Sequence, residues 1–135
     1  MVIVKVIRKA LAVVAAGMLS IAALAVPAQA AQGDCGTGNT CMWEHHSYGG
    51  GAVSFKHYIP DLSLHRLTNG KNANNVVSSV KNRGTSEGTC LFTGAYGRGY
   101  SLRVPRGGNV RNLANYRYMN DTISSAYFDG YKRCG

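Results

Sequence analysis

The chain has 135 residues, with fifteen basic residues against six acidic ones and a net charge of +9. That length limits it to one domain with a modest core. The charge points to an acidic partner or surface rather than a basic one, through an attraction that salt should weaken.

Taken in chain order, the first thirty residues stand apart. Lys5, Arg8 and Lys9 precede an apolar run from Ala10 to Val26, which Pro27 breaks and Ala28-Gln29-Ala30 follows. The run is nearly long enough for a membrane anchor. The proline, the alanine richness and the small-x-small order instead predict a secretory signal peptide cleaved after Ala30. No later segment is apolar enough to cross a membrane, so no insertion is expected after cleavage. Residues 31–135 form the expected mature domain.

All four cysteines, Cys35, Cys41, Cys90 and Cys134, lie in that exported part. An even count in a small secreted domain predicts two disulfides, with three pairings open at this level. Zinc would be the competing use, but no C-x-x-C pair is present. The first cysteines bracket the short loop CGTGNTC, residues 35–41.

Past Cys41 the chain repeats itself. Cys41-Met42-Trp43 and Cys90-Leu91-Phe92 lie 49 apart, and Gly50 and Gly99 keep that offset. HRLTNGKNANNVVSS (65–79) then lies over RNLANYRYMNDTISS (111–125) at an offset of 46, with Leu67 over Leu113, Asn69 over Asn115 and Ser79 over Ser125. The three-residue difference is expected between Gly50 and His65, as a longer loop in the first copy. Internal repetition of this kind outranks any local signal. Each copy reads as strands: Val53, Phe55 and Ile59 alternate partly with polar neighbours, and Tyr100-Ser101-Leu102-Arg103-Val104 alternates as a half-buried strand should. Seventeen glycines and many asparagines supply tight turns. Two four-stranded units packed face to face predict an all-β sandwich.

These residues resemble the βγ-crystallin Greek-key family. Trp43, Tyr48 and Gly50 fit its aromatic-x4-aromatic-x-Gly signature. Phe92 and Gly99 keep the same span in the second copy, although Tyr96 stands one place early and Gly97 occupies the aromatic position. Greek key one would run over 41–83 and Greek key two over 90–132. After each signature comes a hexapeptide, NNVVSS (74–79) and NDTISS (120–125), of the form N/D-N/D-x-x-S/T-S that marks calcium binding in microbial members. The resemblance implies that the third-place carbonyls (Val76, Thr122) and fifth-place hydroxyls (Ser78, Ser124) each serve one ion. The second-place side chains (Asn75, Asp121) would cross to the site of the other unit. Ser79 and Ser125 would be structural, satisfying backbone groups of their hairpins. Asn and Ser also suit turns without any metal. Only Asp121 among the paired positions is charged, so calcium affinity is expected to be weak, on the order of 0.1–1 mM. A Greek-key unit makes its first and last strands neighbours, which implies the pairing Cys35–Cys41 with Cys90–Cys134.

The C-x5-C loop with this fold resembles the bacterial metalloproteinase-inhibitor family, which implies a monomeric inhibitor whose partner is a secreted metalloprotease. That family's second short disulfide loop has no counterpart here, so no reactive bond is assigned. The segment VPRGGN (104–109) is one exposed candidate. The alternative is a calcium-stabilised module that binds an acidic cell-wall polymer or acts as an antimicrobial effector. Arginines 98, 103, 106, 111 and 117 with tyrosines 96, 100, 116 and 118 could hold a nucleic acid. Export argues against it, and several of these tyrosines read as core or corner residues. No enzyme is expected: Gly84-Thr85-Ser86-Glu87-Gly88 matches a nucleophile elbow that needs a strand-to-helix turn. Glu44-His45-His46 with His57 and His65 lacks the spacing of a zinc site.

Overall fold

The computed structural model describes residues 35–135. The expected signal peptide, residues 1–30, lies outside the described residues. Eight strands form: β1 (Thr40–His45), β2 (Gly49–Phe55), β3 (Tyr58–Ile59), β4 (Ser79–Asn82), β5 (Thr89–Gly94), β6 (Arg98–Val104), β7 (Asn109–Val110) and β8 (Ser125–Phe128). Among the described residues, no helix is long and apolar enough to cross a membrane.

The strands make two antiparallel four-stranded sheets, ordered β2-β1-β4-β7 and β3-β8-β5-β6. This is the expected all-β sandwich with one correction. The sheets are not one unit each, because the third strand of either unit pairs in the sheet of the other. Tyr58 pairs with Tyr127, and Val80 with Val110. Strands of two residues satisfy few backbone groups alone, and exchange gives each a full partner.

The placement of the length difference is also corrected. The second unit is longer by two residues between its second and third strands, at the exposed turn Pro105–Gly108. The first is longer by five between its short 3-10 turn (Leu62–Leu64) and β4. The true partner of Leu113 is therefore Leu62, both fully buried, rather than Leu67. The extra residues close on themselves through an Arg66–Asn72 bridge, and buried Leu67 anchors them.

One core lies between the sheets, built on Met42, Phe55, Ile59, Leu62, Val80, Leu91, Val104, Leu113, Ile123 and Phe128. Phe55 and Phe128 meet edge to face at 5.6 Å. The equivalent residues Thr40 and Thr89, both buried at the starts of β1 and β5, join their hydroxyls at 2.5 Å. Two polar groups sharing a hydrogen bond avoid the cost of burying either alone. In β6 the inward run ends early: Leu102 and Val104 reach the core, whereas Tyr100 remains largely exposed and stacks on Tyr118. Tyr96, Tyr116 and Tyr118 are exposed as well, so none of these four tyrosines is a core residue. Tyrosine tolerates that because its hydroxyl can stay in water.

The disulfides are Cys35–Cys41 and Cys90–Cys134. The first closes a loop over Trp43. The second ties β5 to the segment after β8, its strand neighbour.

Candidate functional site

Each unit first turns a corner between its first two strands. In the first corner Ser47 and Tyr48 take positive φ (56° and 62°), and in the second Tyr96 and Gly97 do so (58° and 68°). The early aromatic of the second copy therefore leaves the corner intact. Gly97 supplies at no steric cost the left-handed conformation that Tyr48 adopts in the first. Gly50 and Gly99 follow with φ of 73° and 82°, and a side chain at Gly50 would run into Glu44.

The closing serines hold these corners. Ser79 Oγ donates to the His45 carbonyl at 2.6 Å and accepts from Tyr48 N–H at 3.0 Å. Ser125 Oγ donates to the Gly94 carbonyl at 2.7 Å and accepts from Gly97 N–H at 2.9 Å. A hydroxyl can do both at once, which an apolar side chain cannot. Trp43, with 1% exposure, packs edge-on to Tyr48 at 5.3 Å. Its counterpart Phe92 meets Tyr127 instead.

The two hexapeptides come together across the pseudo-twofold. Asn75 and Asp121 both have positive φ, 58° and 55°, a conformation that short Asn and Asp side chains tolerate. Asn75 N–H donates to the Ile123 carbonyl and Asp121 N–H to the Val77 carbonyl, each at 3.1 Å. The side chains cross in the same reciprocal way. Ser78 Oγ donates to Asp121 Oδ1 at 3.0 Å, and Ser124 Oγ donates to Asn75 Oδ1 at 3.2 Å. Residues 43 and 49 positions apart thus share one small polar cluster each. Val76 and Thr122, the third-place residues, lie half-buried between these pairs in sequence.

The first-place residues add an observation that motif reading alone did not supply. Asn74 Oδ1 and Asn120 Oδ1 are both buried and have no hydrogen-bond partner. A buried acceptor without a protein donor is uncommon, and the same one recurs at equivalent positions of the two units. The donors gathered in the arches are amide, hydroxyl and carboxylate oxygens, a set suited to a hard cation rather than to zinc or copper. Among the described residues no group of three His, Cys, Asp or Glu side chains gathers.

Glu44 has a role that its neighbours His45 and His46 do not suggest. Its carboxylate accepts from Gly51 N–H at 2.9 Å, from the Asn69 amide, and from Lys71 Nζ at 3.2 Å. The Gly51 N–H holds its pKa below the ordinary carboxylate range, helped by Lys71 and Asn69 and opposed by burial. Glu44 thus ties the five-residue insertion to the first corner. Thr93, its counterpart, gives only the matching bond, from Tyr100 N–H at 2.9 Å. Residues 84–88, the expected false elbow, lie in the connector between β4 and β5.

Comparison with known proteins bears on both fold and function. A family model described as peptidase inhibitor family I36 matches residues 28–104. No curated protein matches the chain. Among solved structures, a βγ-crystallin domain studied for the evolution of the eye-lens fold is 24% identical over 70% of this chain and 87% of that one, with a TM-score of 0.61. A βγ-crystallin from Ciona intestinalis is 22% identical over 67% and 99%, with a TM-score of 0.56. A βγ-crystallin from an archaeon is 18% identical over 69% and 99%, with a TM-score of 0.54. At such identities the likeness concerns the fold alone, and the fold is the βγ-crystallin sandwich of two Greek keys.

Proposed function

Because the chain belongs to peptidase inhibitor family I36, we propose that it is a secreted, monomeric inhibitor of a metallopeptidase, without catalytic activity, whose two arches are clasped by weakly bound calcium. The observation that carries the inhibitor reading is the extent of the family match. It runs through the whole first unit and ends with β6 of the second. The physical design supports it. Two disulfides and a shared core leave a rigid surface that loses little entropy on docking. Such an inhibitor needs no chemistry of its own; it competes with substrate for the cleft. Export is supported by the pattern of residues 1–30 and by the disulfides, which persist in oxidising surroundings.

The decisive experiment is a panel of secreted metallopeptidases, thermolysin among them, titrated at stoichiometric ratios. The inhibitor is equilibrated beforehand with calcium or with a calcium-selective chelator. Stoichiometric inhibition of at least one enzyme is the expected result. Salt-sensitive adsorption to purified cell walls, with no enzyme inhibited, would overturn the reading in favour of an acidic-polymer module or antimicrobial effector.

The calcium reading rests on the reciprocal crossing of Asp121 to Ser78 and Asn75 to Ser124. By resemblance, the Val76 carbonyl, Ser78 hydroxyl and Asp121 carboxylate would hold one ion, and the Thr122 carbonyl, Ser124 hydroxyl and Asn75 amide the other. The ion would supply positive charge that links the arches. With one carboxylate in the first site, none in the second and a basic domain around both, affinity stays near the millimolar range, about 0.1–1 mM. Calorimetry with no heat at millimolar calcium, and an unchanged melting temperature, would end this reading.

A further inference from the structure

The duplicated architecture provides its own comparison, because the outer faces of the two sheets are finished differently. On the first sheet Trp43 is closed over by Tyr48 and the Cys35–Cys41 loop, and Lys81 Nζ stands 4.2 Å from the Tyr48 ring. Among the described residues, none of the exposed large hydrophobic side chains belongs to β1, β2, β4 or β7.

On the second sheet the corresponding positions carry tyrosines. Tyr127 takes the place of Lys81, Tyr96 that of Ser47, and Tyr58 of the exchanged strand that of Asn109. Tyr127 stacks on Tyr58 with ring centroids 5.6 Å apart and stands edge-on to Phe92 at 5.9 Å. Tyr131 adds a further ring 5.2 Å from Tyr58, its hydroxyl 3.0 Å from His57 Nδ1. Tyr96 is drawn beside β3 by its N–H bond to the Pro60 carbonyl at 2.7 Å. Burial first, then Tyr58 and Tyr96, raise the pKa of Tyr127, in keeping with a central ring walled in by the others. Tyr58, Tyr96 and Tyr131 remain 47%, 55% and 54% exposed.

The first sheet has the equivalent strand order without them, so the architecture does not demand these tyrosines. Clustered tyrosine offers large, stiff contact area with a hydrogen-bonding tip, which is the composition of interface hot spots. The surroundings select the partner's charge. Lys56, Arg98, Lys132 and Arg133 adjoin the cluster along the chain and are exposed. Of the nearby acids, Asp129 is paired with Arg103, Asp61 keeps its charge beneath hydrogen bonds from Ser63, and Glu87 lies against Gly130, so the four cations outnumber the two unpaired carboxylates. A second copy would bring cations against cations, whereas a carboxylate-rich surface would be steered in.

We propose that this tyrosine face is where the inhibitor docks on its peptidase, against acidic surface beside the catalytic cleft. The assignment rests on the inhibitor reading above. The test compares wild type, the double variant Tyr58→Ser with Tyr131→Ser, and Tyr118→Ser as an exposed tyrosine off the cluster, each titrated against thermolysin and the other enzymes of the panel. The double variant should raise Ki about 30-fold and the Tyr118 variant less than about threefold, with wild-type inhibition weakening as salt rises. An unchanged melting temperature certifies the fold; if the double variant melts early, Tyr131→Ser alone is read in its place. If wild type inhibits and the double variant stays within about threefold of it, this assignment is wrong while the inhibitor reading stands. If wild type inhibits nothing, the inhibitor reading falls and takes the assignment with it. Loss of adsorption to purified cell walls with Ki unchanged, or dimerisation that the double variant abolishes, also overturns it.

Discussion

The reciprocal crossing of the arches predicts an unusual pattern of energetic coupling. Asp121→Ala removes the only carboxylate of the Ser78 cluster, 3.0 Å from the Ser78 hydroxyl. Without calcium the loss is that of one part-buried hydrogen bond to a charged group, about 1.5–3 kcal/mol. On the proposed calcium reading, with 1 mM calcium and a dissociation constant of about 0.3 mM, each site would add about 0.9 kcal/mol, so two sites should raise the wild-type melting temperature by about 10 °C. Asp121→Ala should roughly halve that rise, because the Asn75–Ser124 site survives. The cycle is read by calorimetric melting. Asp121→Ala with Ser78→Ala should be strongly non-additive, with a coupling of about 1 kcal/mol or more. Asp121→Ala with Ser124→Ala, three residues apart, should add within about 0.5 kcal/mol. The opposite result, coupling between 121 and 124 with none between 78 and 121, would refute the crossed arrangement.

Two other perturbations test the frame around the site. Glu44→Gln should lower stability by about 1.5–3 kcal/mol at neutral pH. Because the folded pKa is depressed below its ordinary value of 4.5, the wild-type advantage is present above that value and disappears as pH falls through the lowered pKa. Urea denaturation of both proteins across that range checks the convergence. Replacing Cys90 and Cys134 by serine should cost about 4 kcal/mol in the loop-entropy treatment, against about 2 kcal/mol for Cys35 and Cys41. The difference follows from sequence separations of 44 and 6, and equal midpoint losses in guanidinium would contradict it.

Much of this molecule was legible before its structure, and the misses have physical causes. Duplication could be read because both copies keep their chemistry at fixed spacing: aromatic, corner glycine, then a hexapeptide closing on serine. The disulfide pairing followed from which strands the Greek key makes neighbours. The exchange of third strands was hidden, since Tyr58–Ile59 and Asn109–Val110 are too short to carry any periodicity. The length difference was misplaced because an excess of two in one unit partly cancels an excess of five in the other, leaving a net of three. Leu67 then fell by accident over Leu113. Several tyrosines of the second unit read as core or corner residues; Tyr96 does turn a corner, but none of the four is buried, because such rings suit either side of a surface. The tethering role of Glu44 was hidden because its partners, Asn69 and Lys71, sit in an insertion that sequence comparison between the copies could not isolate.

The traded strands have a consequence for any attempt to divide this domain. A fragment cut in the connector after β4 would keep β3 without β8 to receive it, and β4 without β7 along its open edge. Two such fragments can complete one another, each lending its short strand to its twin. Truncation would therefore yield a symmetric pair of half-length chains, and closure within a single chain depends on both halves being made as one polypeptide.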